Sequence, residues 1–215
     1  IISKSFVEGA SLINNYPELD TFIKIEINEK NSHIFFFDNG SLKFFQDFNF
    51  GTNIIISDIS KITSLNEKII KKILSNSEFF KKKFEEDLLE KEFFKEKNFR
   101  KIKKKLIKDI ASARIQEMSE LMILKNINFK SFIKSNMLFF LEINDKSNLE
   151  SMKDVFTFHF SKNNFYKIKS VNFSISENFY QNAYKIAYNG WNKEAIPITQ
   201  NKHSLITRIF KSFFG

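Results

Sequence analysis

The sequence predicts an α/β domain interrupted by a helical insertion, and three observations carry that prediction. Apolar and polar residues alternate in short runs between residues 21 and 48. A long stretch from about 65 to 129 lacks glycine and proline and repeats its apolar residues at helical spacing, and strand signals return after residue 137. A chain of 215 residues suits one domain, or a domain carrying an insertion, and is ample to bury a core.

The elements follow in order. Ile23, Ile25 and Ile27 alternate with Lys24 and Glu26, the pattern of a half-exposed strand. Ile34 to Phe37 forms a second apolar run and Leu42 to Phe48 a third. Between them stands Asp38-Asn39-Gly40, a hairpin signal because Asn and Gly tolerate positive φ in a tight turn. Gly51 and Thr52 lead into a helix that begins near Ile54. Ile69, Ile70, Ile73 and Leu74 then recur at helical spacing. Residues 79–97 are highly charged and place Phe79, Phe80, Phe84, Leu88 and Leu89 on one side. A longer helix is expected over residues 99–125, with a stripe of Ile102, Leu106, Ile110, Ile115, Met118, Leu121 and Met122. Strands are expected again at residues 137–143 and 167–175, with a helix near 149–156 between them. A last helix over 177–189 carries Phe179, Tyr180, Ala183, Tyr184 and Ala187 on one face, with Gly190 at its C-terminal cap. The order is βββα, an all-helical insertion, then βαβα completing the same sheet. Residues 191–203 are polar, contain Pro197 and read as a linker.

Composition narrows the chemistry. There are no cysteines, which removes disulfides, thiolate metal sites and thiol catalysis and fits a reducing compartment. The longest apolar runs fall far short of the ~18 residues of a spanning helix, and no secretory leader is expected. It begins at Ile1 rather than Met, so a trimmed or truncated product is expected. The net charge is +9, but the lysines lie in mixed runs such as Lys81-Lys82-Lys83-Phe84-Glu85-Glu86-Asp87. Such runs read as a solvated helix face rather than a nucleic-acid surface, so no nucleic-acid partner is expected. Glu85, Glu86, Asp87, Glu90 and Glu92 are expected to pair with lysines one helical turn away. His33, His159 and His203 are scattered and suggest no metal site.

Residues 204–215 read as an amphipathic helix. At about 100° per residue, Leu205, Ile206, Ile209, Phe210, Phe213 and Phe214 fill one side, while Arg208 and Lys211 stand opposite with Ser204, Thr207 and Ser212. A helix this short needs an apolar partner to fold. Bulky apolar residues facing basic ones are the make-up of a helix lying in an anionic lipid interface. These residues are the expected peripheral membrane contact.

Several strings, taken together, resemble the family of the bacterial actin-like cell-division protein FtsA. The family's I-D-I-G-G-G-T-x-D-I-A-V-Y resembles residues 25–37, with equal spacing. Its I-P-I-G-G-N-H-I-T-N-D-I-A resembles residues 48–60, which keep Gly51, Asn53, Asp58 and Ile59. The family's I-E-P-R-x-x-E-L is similar to residues 111–118, around Arg114, and Y-S-T-A-V-G-L-L-H-Y-G to residues 180–190. The resemblance runs from about Phe6 onward and is carried by the order of the strings.

It implies an actin-like (ribonuclease H-like) second lobe with a helical insertion and a C-terminal amphipathic helix. Residues 1–20 would be the remnant of the connection to a first lobe, and 21–63 with 130–190 the α/β subdomain. Residues 64–129 would be the insertion, 191–203 the linker and 204–215 the membrane-targeting helix. The family binds ATP through two glycine-bearing loops, since backbone N–H groups must approach phosphate closely. Here the first becomes Asn28-Glu29-Lys30-Asn31, and the second, L-T-G-G-A-A-Q, becomes residues 139–145, including Leu141 and Glu142, without glycine in either. The family's acidic residue after the first loop falls on His33. The expectation is therefore no cofactor, no catalytic residues and no enzyme. The resemblance implies that the region of Arg114 binds the acidic tail of the tubulin-like protein FtsZ, with self-association of the chain as a further partner. It places the chain at the division septum, on the cytoplasmic side of the inner membrane. A truncated actin-like ATPase and a pilus-type actin-like scaffold are the alternatives that share this fold.

Overall fold

The computed structural model describes residues 4–16, 19, 21–39, 41–76, 78–83, 85–94, 100–132, 137–145, 152–161, 166–170 and 180–184. The chain divides into two compact units, residues 1–16 with 174–215, and residues 17–173.

The larger unit is built on a five-stranded sheet of order β3-β2-β1-β4-β5, formed by β1 (Thr21–Asn28), β2 (Ser32–Asp38), β3 (Ser41–Phe48), β4 (Met137–Asn144) and β5 (Tyr166–Ser170). The first three strands form an antiparallel meander. Asn39 takes the positive φ of 50° that the tight turn requires. β4 pairs parallel with β1 and β5 parallel with β4. A parallel return needs a crossover, and α6 (Lys153–Ser161) supplies it between β4 and β5.

Pleating sends Ile23, Ile25, Ile27, Ile34, Phe36, Phe139 and Leu141 to one face, where they join a single buried core with helical residues. α2 (Asn53–Thr63) contributes Ile55, Ile56 and Ile59 to it. α3 (Glu67–Leu74), capped by the Asn66 side chain accepting from Lys68 N–H at 2.9 Å, adds Ile70, Ile73 and Leu74. α4 (Lys104–Ser119) adds Ile107, Ala111, Ile115 and Met118, and α6 adds Phe156 and Phe160. The insertion thus shares its core with the sheet. α5 (Ile127–Lys130) is tied to the edge of the sheet by buried Asn126, which accepts from Phe129 N–H and donates to Gln46 Oε1 at 3.0 Å.

The structure departs from the sequence reading at several places, each with a physical reason. β1 is buried along both faces, not half-exposed, because Lys24 and Glu26 meet charges of opposite sign rather than water. Residues 79–97 do not form a helix where described. They make turns, an isolated bridge from Leu88 to Lys103 and a short 3₁₀ turn at Lys91–Phe94. Their carboxylates accordingly find distant lysines: Glu86 pairs with Lys103 at 2.7 Å, and Glu90 with Lys104. The Lys104 ammonium holds the Glu90 carboxyl below its ordinary range.

The long helix begins at Lys104 and passes into a π-helical turn at Glu120–Leu124. Its buried stripe is Ile107, Ala111, Ile115, Met118 and Met122, with Leu106 and Leu121 exposed. Of the helix expected near 149–156, the described part is α6, which continues to Ser161.

In the smaller unit, α1 (Lys4–Asn15) buries Val7 and Leu12, and residues 180–184 are helical. Asn182 Nδ2 donates to Ser11 Oγ at 2.7 Å, joining these two helical pieces. Tyr180 and Tyr184 are exposed. Residues 185–203 and the amphipathic segment, with Leu205, Ile206, Arg208, Ile209, Phe210, Lys211, Phe213 and Phe214, lie outside the described residues. Among the described residues no helix is long and apolar enough to cross a membrane.

Candidate functional site

Parallel strands of an α/β sheet direct their carboxyl ends toward a crevice where ligands commonly bind. In the larger unit that point is the junction of the β1–β2 turn, the start of α2 and the residues following β4. The turn Asn28-Glu29-Lys30-Asn31 is closed on itself. Asn28 N–H donates to Asn31 C=O at 2.9 Å, and Asn28 Nδ2 donates to Asn31 Oδ1 at 3.0 Å.

The turn is also closed onto α2. Thr52 N–H donates to Asn28 C=O and Asn53 N–H to Glu29 C=O, both at 2.9 Å. The start of a helix ordinarily offers unpaired N–H groups to an anion, and here these two are engaged by carbonyls of the turn. The Thr52 side chain does not cap the helix. Its buried hydroxyl donates instead to Asp145 Oδ2, fastening the start of α2 to the chain that leaves β4.

Gly51 is what allows this approach. A Cβ at that position would lie 2.2 Å from Asn28 O and 2.7 Å from Glu29 O, closer than any side chain tolerates. The glycine therefore accommodates the protein's own turn. Asn28, Thr52 and Asn53 N–H are thus paired within the junction, and the turn itself carries no glycine. Leu141 and Glu142, read from sequence as part of a second degenerate loop, are interior residues of β4. They hydrogen-bond within a ladder and form no loop.

A second constellation was invisible in the sequence. Lys24 is fully buried in β1, with its Nζ 2.9 Å from Glu142 Oε2 and 3.6 Å from Glu26 Oε2. Asn144 Nδ2 donates to Glu26 Oε1 at 3.0 Å, and the ammonium lies 5.6 Å from the centre of the Phe35 ring. The parallel register places Glu26 beside Glu142, so two carboxylates would repel across the strands without the lysine between them.

Arg114, the expected partner-binding residue, projects from α4 and is engaged within the molecule. Its Nε bonds Asp58 of α2, and its Nη1 lies 2.5 Å from Glu117 Oε2. Asp58 and Arg114 belong to two different family-like strings, and they meet. One task of both is to join α2 to α4. Further along the chain, Leu121 and Leu124 are each 42% exposed and Ile127 is 84% exposed, and Lys125 Nζ lies 2.7 Å from Glu120 Oε2. The insertion also holds a cleft of about 700 Å³, lined by Ile73, Phe79 and Phe93 together with Lys72, Lys82 and Glu78. Lys108 supports this region by donating to Phe80 O and Lys82 O at 2.8 Å, and its desolvation lowers the lysine's pKa. His33 pairs with Asp47, and His159 Nε2 lies 2.7 Å from Ser112 Oγ.

No protein-family model and no curated protein matches the chain. Solved structures do. The chain is similar to MreB5 of Spiroplasma citri bound to AMPPNP, with a TM-score of 0.52 and 16% identity, over 89% of this chain and 59% of that one. It is also similar to the ethanolamine utilization protein EutJ from Carboxydothermus hydrogenoformans, at a TM-score of 0.49 and 9% identity, over 78% and 49% of the two chains. A third likeness is to Ta0583, an archaeal actin homolog, at a TM-score of 0.43 and 11% identity, over 84% and 54%. The chain thus spans between 49% and 59% of the length of these three. The first likeness gives the fold, which is actin-like.

Proposed function

We propose that this chain is a non-catalytic adaptor of actin-like fold. It holds filaments of an FtsZ-like tubulin homologue against the cytoplasmic face of the bacterial inner membrane, at the division septum. The observation that carries this reading is the closed β1–β2 turn. A body whose helix-start amides are engaged by its own carbonyls, and whose turn has lost every glycine, is suited to scaffolding rather than to phosphate chemistry.

Two contacts then define the adaptor. The first is the amphipathic segment 204–215, whose rings and aliphatic side chains sink into the interface while Arg208 and Lys211 face anionic headgroups. The second is the insertion, where exposed Leu121, Leu124 and Ile127, with Lys125 and Lys130 close in sequence, suit an acidic peptide with apolar anchors. Arg114 contributes through the outer half of its fork. Its pair with half-exposed Glu117 is an i,i+3 surface pair worth at most about 1 kcal/mol, so a partner carboxylate displaces it at little cost.

The scaffold reading is tested by titrating the full chain with Mg-ATP in a calorimeter. The expected result is no saturable heat and no rise in melting temperature. Micromolar binding would show that the turn opens, and would return the chain to the nucleotide-dependent members of its fold.

A further inference from the structure

β3 is an edge of the sheet, and among the described residues no strand pairs with its outer side. Its positions alternate between exposed and half-buried along all eight residues. An edge offers a row of backbone donors and acceptors to any strand that can lie beside it. Charged residues and bulges usually prevent this, and β3 has both: the pairing with β2 slips between Phe36 and Phe37, which leaves Lys43 as the extra residue. The regular edge is therefore Phe44 to Phe48, with Lys43 at one end and Asp47 near the other.

Those two charges complement each other when the strand meets its own copy. In an antiparallel two-fold pairing that keeps the faces of the two sheets aligned, the centre must fall on a residue. Centring on Phe44 sets Lys43 against Phe45 of the copy, and centring on Gln46 sets Asp47 against Phe45. Centring on Phe45 sets Lys43 opposite Asp47 twice and stacks Phe45 on Phe45. Phe45 is 47% exposed and already lies on a ring platform, 5.0 Å from Phe35 and 5.8 Å from His33. The Asp47 side chain is 58% exposed, and only its Oδ1 is taken by His33.

We propose that two copies of this chain join edge to edge through β3, antiparallel and centred on Phe45, making one continuous sheet across the pair. The inference does not rest on the membrane or partner reading, and its test contains neither lipid nor partner. Sedimentation velocity of the full chain over rising concentration is expected to show a monomer–dimer equilibrium. Lys43→Glu turns two attractive cross-strand pairs into two repulsive ones, and is expected to weaken the dimer roughly tenfold or more. Lys43→Glu combined with Asp47→Lys restores opposite signs and is expected to recover it. Both positions are exposed, so circular dichroism should show unchanged folding. A wild-type chain that stays monomeric at the highest soluble concentration overturns the proposal. So does a single variant that dimerises like wild type, or a double variant that fails to recover.

Discussion

Replacing Lys24 by methionine is expected to remove about 3–5 kcal/mol of folding stability, the cost of breaking a buried ion pair from one side. Methionine fills a similar volume, so the loss is electrostatic rather than a cavity. Without the ammonium, Glu142, 1% exposed, and Glu26, 7% exposed, face each other across β1 and β4 with no cation between them. Domains are stable by roughly 5–15 kcal/mol in all, so the single variant should lose a large fraction of its stability. Adding Glu142→Gln is expected to return most of the loss, because Glu26 keeps the Asn144 amide as its donor. Urea unfolding of the three proteins is the measurement. A loss below about 1 kcal/mol for the single variant, which is the range of a surface pair, would mean that the cluster is solvated.

Removing residues 204–215 is expected to abolish binding to anionic vesicles while leaving the body's melting temperature unchanged. The segment holds two basic residues, each worth about 1 kcal/mol near such a surface. That is too little for stable attachment, so the six apolar side chains must supply the rest through buried area. The two terms separate experimentally. Phe210→Ser with Phe213→Ser should eliminate sedimentation with vesicles at any salt. Arg208→Gln with Lys211→Gln should weaken it only where anionic lipid is present and salt is low. Equal co-sedimentation of full-length and shortened chains would end the membrane reading.

Much of the sheet was legible because its signals are local. Asp38-Asn39-Gly40 sets the hairpin with no information from elsewhere, and the apolar runs of β2 and β4 announce themselves. The charged core was not legible. Lys24 and Glu26 alternate with isoleucines as solvent-facing residues do, and only the parallel pairing of β1 with β4 brings Glu142 to them. The run at 79–97 misled for a related reason: apolar residues at helical spacing among mixed charges also suit a turn-rich segment whose acids reach lysines of α4.

At the candidate site, the loss of glycine from the β1–β2 turn was plain in the sequence. The closure by Thr52 and Asn53 was not, because it depends on where Gly51 lets the chain pass. Arg114 stood out as a helical arginine, but its bond to Asp58 required α2 and α4 to be side by side.

Recruitment of polymer to lipid tests the adaptor most directly. Pre-formed filaments of an FtsZ-like protein are mixed with anionic vesicles and floated through a density gradient, with the full chain, with the chain ending at residue 203, or with neither. The filaments should rise with the vesicles only when the full chain is present, and should do so without added nucleotide beyond what the filaments themselves need. Filaments left at the bottom while the full chain itself floats would contradict the two-contact account, as would equal recruitment by the shortened chain.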